Sequence, residues 1–162
     1  MTSAPLGDEH EAERLDALIA EWHGQWCAGG LFGEVEHRAE ADDRGHFHWL
    51  IRLHGEEKDV ITIWLRLRQR TVYVETEVMA APEENREALF GYLLAKNAML
   101  QMVHAAIGAE NGIYLVASIP TGDLTIERLD ELVGAAVTYV DEIFPTAMSM
   151  GLPLLYRRRR LP

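Results

Sequence analysis

Two histidines separated by one residue, His46 and His48, have the spacing of a chemical site. In an extended strand, residues i and i+2 point to one face, so two imidazoles there could grip a transition metal. His37 upstream and His54 downstream are the histidines that could supply a third ligand. No cysteine or carboxylate motif of known spacing completes the set, and an exposed polar sheet face explains the same pattern. Facing solvent, the pair would act as a pH-sensitive patch. Glu75 and Glu77 form a second candidate, sharing a strand face with Tyr73. Paired carboxylates perform acid–base chemistry when burial splits their pKa values. Arg52, Arg66 and Arg68 fall on the same face of neighbouring strands, so cross-strand ion pairs account for the arrangement without chemistry. Cys27 has no histidine partner at a nucleophile's spacing and reads as structural. The chain contains no G-x-S-x-G elbow, phosphate-binding glycine loop or dinucleotide fingerprint. These readings predict no enzyme, no catalytic residues, no cofactor and no metal, His46 and His48 being the metal candidates.

The elements that must position these residues follow from periodicity. Leu15, Leu18, Ile19, Trp22 and Trp26 form one helical stripe, ending at Ala28 to Gly30. Asp8 with Glu11 is a candidate capping pair at its start. "LFGEVEHRAE" is extended, and Asp42 to Gly45 reads as a turn. Three strands then alternate with period two. Their inward residues are Phe47, Trp49, Ile51 and Leu53, then Ile61, Ile63, Leu65 and Leu67, then Val72, Val74, Thr76 and Val78. Short connections make an antiparallel meander. Pro82 suits a helix's first position, with Glu83 and Glu84 at the positive end of the dipole. Leu89, Phe90, Leu93 and Leu94 continue that helix, and Asn97 is a plausible C-cap. A helix running on to Ala106 is the alternative. "MLQMVHAAI" can alternate as a strand, and the Asn-Gly pair at 111–112 signals a hairpin into "IYLVASI". Thr125 then caps a helix with Leu129, Leu132, Val133, Ala136, Val140, Ile143 and Phe144 on one face, which Pro145 kinks or ends.

With 48% hydrophobic and 25% charged residues, a chain of 162 residues is expected to fold as one globular domain. The expected organisation is a flexible N-terminus over 1–8, one domain over 9–151 and a basic tail over 152–162. No apolar run approaches the roughly 20 residues of a membrane span. The N-terminal stretch lacks a basic region followed by an apolar core, and the lone cysteine fits a reducing compartment, so a cytoplasmic location is expected. The net charge of −11 argues against nucleic acid as a partner. The Arg157 to Arg160 run could touch an acidic partner or lipid headgroups, or simply be solvated.

"PEENREALFGYLLAKNAMLQM", "NGIYLVASIP" and "LTIERLDELVGAAVTYVDEIFPTAMSMG" together resemble the YbjN family, grouped with the type III secretion chaperone-like fold. The flavour is actinobacterial. The matching points are the Pro82-to-Asn85 entry, Leu93-Leu94, Asn97, Gly112 to Val116, Pro120 and Leu129 to Leu132. They cover the C-terminal half; the meander matches by pattern alone. The tail "LPLLYRRRRLP" departs from the "RREW"-like endings of that family, so any role of the tail lies outside the resemblance. The resemblance implies a curved antiparallel sheet with helices packed on it, often dimeric, that binds other proteins and has no active site.

The expected fold is therefore α+β: an antiparallel sheet of five or six strands with three main helices, in the order α-β-β-β-β-α-β-β-α. The expected function is a non-enzymatic protein-interaction module, possessing a homodimeric form and a regulatory or chaperone-like role toward a protein partner or client. A metal- or small-ligand-binding sensor using the sheet-face histidines is the alternative. His48, Leu50, Trp64, Arg66 and Tyr73 form a mixed aromatic, basic and apolar sheet face, either exposed for a partner or covered by a terminal segment or the first helix. Met148 and Met150, with Met99 and Met102, are adaptable contact residues or core filler.

Overall fold

The computed structural model describes residues 6–28, 33–41 and 47–161. Helix α1 spans Leu6–Ala28, followed by strands β1 (Gly33–Ala41), β2 (Phe47–Leu53), β3 (Ile61–Leu67) and β4 (Thr71–Met79). Helix α2 (Arg86–Asn97), strands β5 (His104–Ile107) and β6 (Ile113–Pro120), and helices α3 (Ile126–Gly151) and α4 (Pro153–Arg159) complete the chain. The six strands form one sheet in the order β1-β2-β3-β4-β6-β5, each neighbouring pair antiparallel. His46, the Asp42–Gly45 turn, and the side chains of His37, Cys27 and Asp8 lie outside the described residues.

Period-two alternation gives the sheet an apolar face, and α1, α2 and α3 all pack there. Trp49, Ile51, Ile61, Ile63 and Leu65 are fully buried in one cluster with Leu15, Ile19, Leu89, Leu129, Leu132, Val133, Val140 and Ile143. Polar ties set the helix positions. Trp49 Nε1 donates to Asp16 Oδ1 at 3.0 Å, seating α1 on β2. Trp22 Nε1 and Trp26 Nε1 both donate to Asp130 Oδ1, at 3.1 and 2.6 Å, joining α1 to α3. Thr125 is the N-cap of α3, its Oγ1 accepting from the Arg128 amide at 3.1 Å.

Several local expectations are corrected. Helix α1 begins at Leu6, so Asp8 is inside it, and Glu11 instead pairs with Arg14 at 2.6 Å. Pro82 does not open α2, which starts four residues later behind Asn85 in the left-handed region (φ 51°). The reason is the end of α3. The Glu83 and Glu84 amides donate to the Gly151 carbonyl at 2.9 and 3.1 Å, and Asn85 Nδ2 donates to Met150 O at 3.0 Å. The 82–85 segment thus satisfies helix-end carbonyls instead of helix positions of its own. Gly151 permits this approach, since a Cβ there would sit 2.9 Å from Pro82 Cβ.

Helix α2 ends at Asn97, inside the window the sequence predicts, but the strand begins only at His104, so the first five residues of "MLQMVHAAI" are not strand, and Asn97 is not a left-handed cap. It lies within α2, and its side chain accepts from the Ala105 amide at 2.7 Å and donates to the Ala105 carbonyl at 3.1 Å. That side chain occupies outward-facing backbone groups of the edge strand β5. The hairpin forms, yet its left-handed residues are Glu110 (φ 53°) and Asn111 (φ 61°), one position ahead of the Asn-Gly pair, whose Gly112 is extended. Helix α3 continues through Pro145 to Gly151. The 152–162 segment is not a loose end over its described length: Pro153–Arg159 forms α4, a fourth helix beyond the expected three. Arg159 pairs with Asp59 at 2.9 Å and lies over the Phe144 ring at 5.0 Å, and Arg160 reaches Glu57 at 3.7 Å.

Candidate partner-binding face

With α1, α2 and α3 on one side, no described helix roofs the central part of the other sheet face, where two rows cross four strands. One runs His48, Arg66, Tyr73, Ser118; the next runs Leu50, Trp64, Glu75, Val116. Beside them lie the pairs Arg52–Thr62 and Glu77–Tyr114. The structure therefore brings together His48, Leu50, Trp64, Arg66 and Tyr73. Trp64 is 37% exposed, with the His48 ring centroid 6.1 Å from its own. Arg66 and Glu75 approach to 3.6 Å, and the Arg68 guanidinium lies 4.2 Å above the Tyr73 ring. Burial first, and Glu75 second, push the Tyr73 phenol above its ordinary value. Cation–aromatic stacking and a cross-strand ion pair thus stiffen a surface that keeps an indole in contact with solvent.

A hollow of about 270 Å³ adjoins Trp64, lined by Arg52, Lys58, Val60, Thr62, Glu77 and Tyr114. Burial depresses the Lys58 ammonium below the usual lysine range, and its Nζ donates to the Glu77 carbonyl. Tyr114 donates its hydroxyl proton to Glu77 Oε2 at 3.4 Å. Glu75 and Glu77 are thus engaged with Arg66 and Tyr114, the ion-pair and hydrogen-bond reading of that face. Val60, 47% exposed, shares the parity of Thr62 and Trp64, so the alternation could have revealed it. Lys58 comes from a loop, and only the fold carries it there. Its loop is held by Asp141 of α3, whose carboxylate accepts from the amides of Glu56, Glu57 and Lys58 at 2.8, 3.0 and 3.0 Å.

Three predicted contact residues change standing. Met148 is 5% exposed within the core cluster and Met150 packs against that cluster, so both are core filler, because α3 turns its apolar stripe inward through Gly151. Leu50 is on the right face but only 6% exposed. His48 belongs to no group of three metal-ligating side chains among the described residues. His54 lies beyond the end of β2, its Nδ1 at 3.0 Å from Asp59 O. A second apolar groove, about 340 Å³, runs between α2 and β5 and was not anticipated; Phe90, Leu93, Leu94, Ile107 and Ile113 line it beside Asn97.

The α+β architecture, a six-stranded antiparallel sheet with its helices stacked on one side, is of the type III secretion chaperone-like class. One chain of the ExsC–ExsE complex superposes with a TM-score of 0.55 at 17% identity, covering 82% of this chain and 92% of that one. A chain of the heterodimeric ExoU–SpcU complex from the type III secretion system of Pseudomonas aeruginosa aligns over 58% of this chain and 80% of its own, at 14% identity and a TM-score of 0.47. The chain belongs to the YbjN family, "Putative bacterial sensory transduction regulator", whose model matches residues 33–148. Uncharacterized protein Rv0487 of Mycobacterium tuberculosis is 29% identical over 102 residues, 63% of this chain and 56% of that protein. Uncharacterized protein ML2442 of Mycobacterium leprae is 26% identical over 144 residues, 83% of this chain and 77% of that protein. The chain thus spans little more than half the length of the first of these relatives. Both relatives accord with the actinobacterial branch. No described helix is long and apolar enough to cross a membrane.

Proposed function

We propose that this chain is a non-enzymatic, cytoplasmic protein-interaction module that binds a protein partner or client through the sheet face around Trp64 and Tyr73, in a regulatory or chaperone-like role. It pairs with a second copy of itself. The observation that carries the reading is the one-sided stacking of α1, α2 and α3, which leaves an exposed indole among cations and aromatic rings. Trp, Tyr and Arg are the side chains enriched where partners bind, because they bring large apolar area with a polar handle. The structural likeness to a chain of the ExsC–ExsE complex supports a fold able to present such a face.

The test is affinity capture from extract of the native host, comparing the wild-type chain with Trp64→Ala and Tyr73→Ala. Each variant is first checked for an unchanged melting temperature. A specific protein retained by the wild type and lost by both variants is the expected result. Identical capture by all three would move the binding surface elsewhere.

A further inference from the structure

We propose that the groove between α2 and β5 receives helix α4 of a second copy of this chain. The inference rests on the self-pairing proposed above and assigns its surface. Two unpartnered apolar features of this molecule complement one another. The first is the groove, whose rim residues Leu94 and Ile107 are 71% and 56% exposed. Strand addition is obstructed there, because Asn97 already engages both backbone groups of Ala105. A helix presenting large apolar side chains is the occupant left. The second feature is α4, with Leu154 and Leu155 exposed at 66% and 55%.

Charge sets the direction of docking. Glu87 lies one helical turn before Phe90, on the stripe that continues through Leu94 and Asn97. Glu110 sits in the hairpin just beyond Ile107. Asn97 meets Ala105, so α2 and β5 run in opposite directions, and the backbone positions of Glu87 and Glu110 both lie toward the end of the groove away from Asn97. Both residues are exposed. Helix α4 has the matching polarity, Leu154 and Leu155 followed by Arg157 and Arg158. Arg159 and Arg160 pin α4 to its own chain through Asp59 and Glu57, whereas Arg157 and Arg158 form no ion pair among the described residues. The helix is thus held in place with its leucines and two guanidiniums available to a neighbour. Reciprocal docking, tail to groove in both directions, closes a two-fold dimer.

Light scattering over a concentration series at low salt is the first test. The wild-type chain should be a dimer. Arg157→Glu/Arg158→Glu, on exposed positions, should raise the dissociation constant by about tenfold or more. Adding Glu87→Arg and Glu110→Arg to that variant should restore pairing. Cross-linking then reads the geometry in a Cys27→Ser background, where Leu94→Cys mixed with Leu155→Cys should form a disulfide between the two chains. A dimer indifferent to the charge reversals, or one linked mainly through Leu94→Cys to itself, would overturn this assignment while leaving self-pairing intact. A chain that stays monomeric at every concentration would remove both.

Discussion

Replacing Asp141 probes how α3 holds the loop that brings Lys58 and Val60 to the sheet face. Its carboxylate accepts three backbone hydrogen bonds, two on Oδ1 from Glu57 and Lys58 and one on Oδ2 from Glu56. A hydrogen bond to a charged group contributes roughly 1.5–3 kcal/mol, and exposure of the Glu56 and Glu57 amides favours the low end. Asp141→Ala should therefore cost about 3 kcal/mol, well short of a simple sum, since freed amides at the surface regain water. Asp141→Asn keeps one carbonyl oxygen for Glu57 and Lys58, loses the charge and the Glu56 bond, and should cost about half as much. Gly55 sharpens the argument: a Cβ there would lie 2.5 Å from both Asp141 Oδ1 and the Lys58 carbonyl. Urea unfolding gives the global values. Amide hydrogen exchange at Glu57 and Lys58 gives the local one, with protection falling in Asp141→Ala before the core opens. If Asp141→Ala unfolds at the wild-type urea midpoint with those amides still protected, the carboxylate does not organise the loop.

Two further outcomes follow from single side chains. Thr76 is 1% exposed on the core face and its Oγ1 has no hydrogen-bonding partner among the described residues, so Thr76→Val should stabilise the protein by about 1 kcal/mol in thermal or urea unfolding; a loss of stability would show that the hydroxyl is satisfied. The Tyr73 and Tyr114 phenols are both raised in the fold, chiefly by burial and next by Glu75 and Glu77 respectively. Their contribution is full below the ordinary tyrosine value of about 10 and is lost as pH rises through the higher folded values. Tyr73→Phe/Tyr114→Phe should flatten that alkaline decline, and an unchanged slope of stability against pH would count against it.

Much of the fold was legible because it rests on local patterns. The stripe from Leu15 to Trp26, the alternation through Trp49, Ile63 and Val74, and the Thr125 start of α3 are short-range signals the structure repeats. The reading failed where a distant group competed for the same atoms. Pro82 lost the start of α2 because the end of α3 takes the amides of Glu83 and Glu84. Asn97 was read as a helix cap because that role needs only local backbone, whereas its partner is the edge of a strand eight residues on. The residues of the candidate face were named from parity, but parity gives no occupancy. It cannot separate Leu50, 6% exposed, from Trp64, 37% exposed. Methionine chemistry likewise suits a contact surface or a core equally, and only the packing of α3 puts Met148 in the core.

By itself the sequence determined the α+β character, the antiparallel meander, the resemblance to a family and the residue types that share a strand face. These depend on periodicity and turn chemistry, which act over a few residues. Only the tertiary structure decided that the described helices leave the other side of the sheet open around Trp64, that Lys58 and Val60 join Trp64, and that an apolar groove and an exposed helix coexist in one chain. Those outcomes depend on packing between residues far apart in sequence, where whole faces compete for the same buried area.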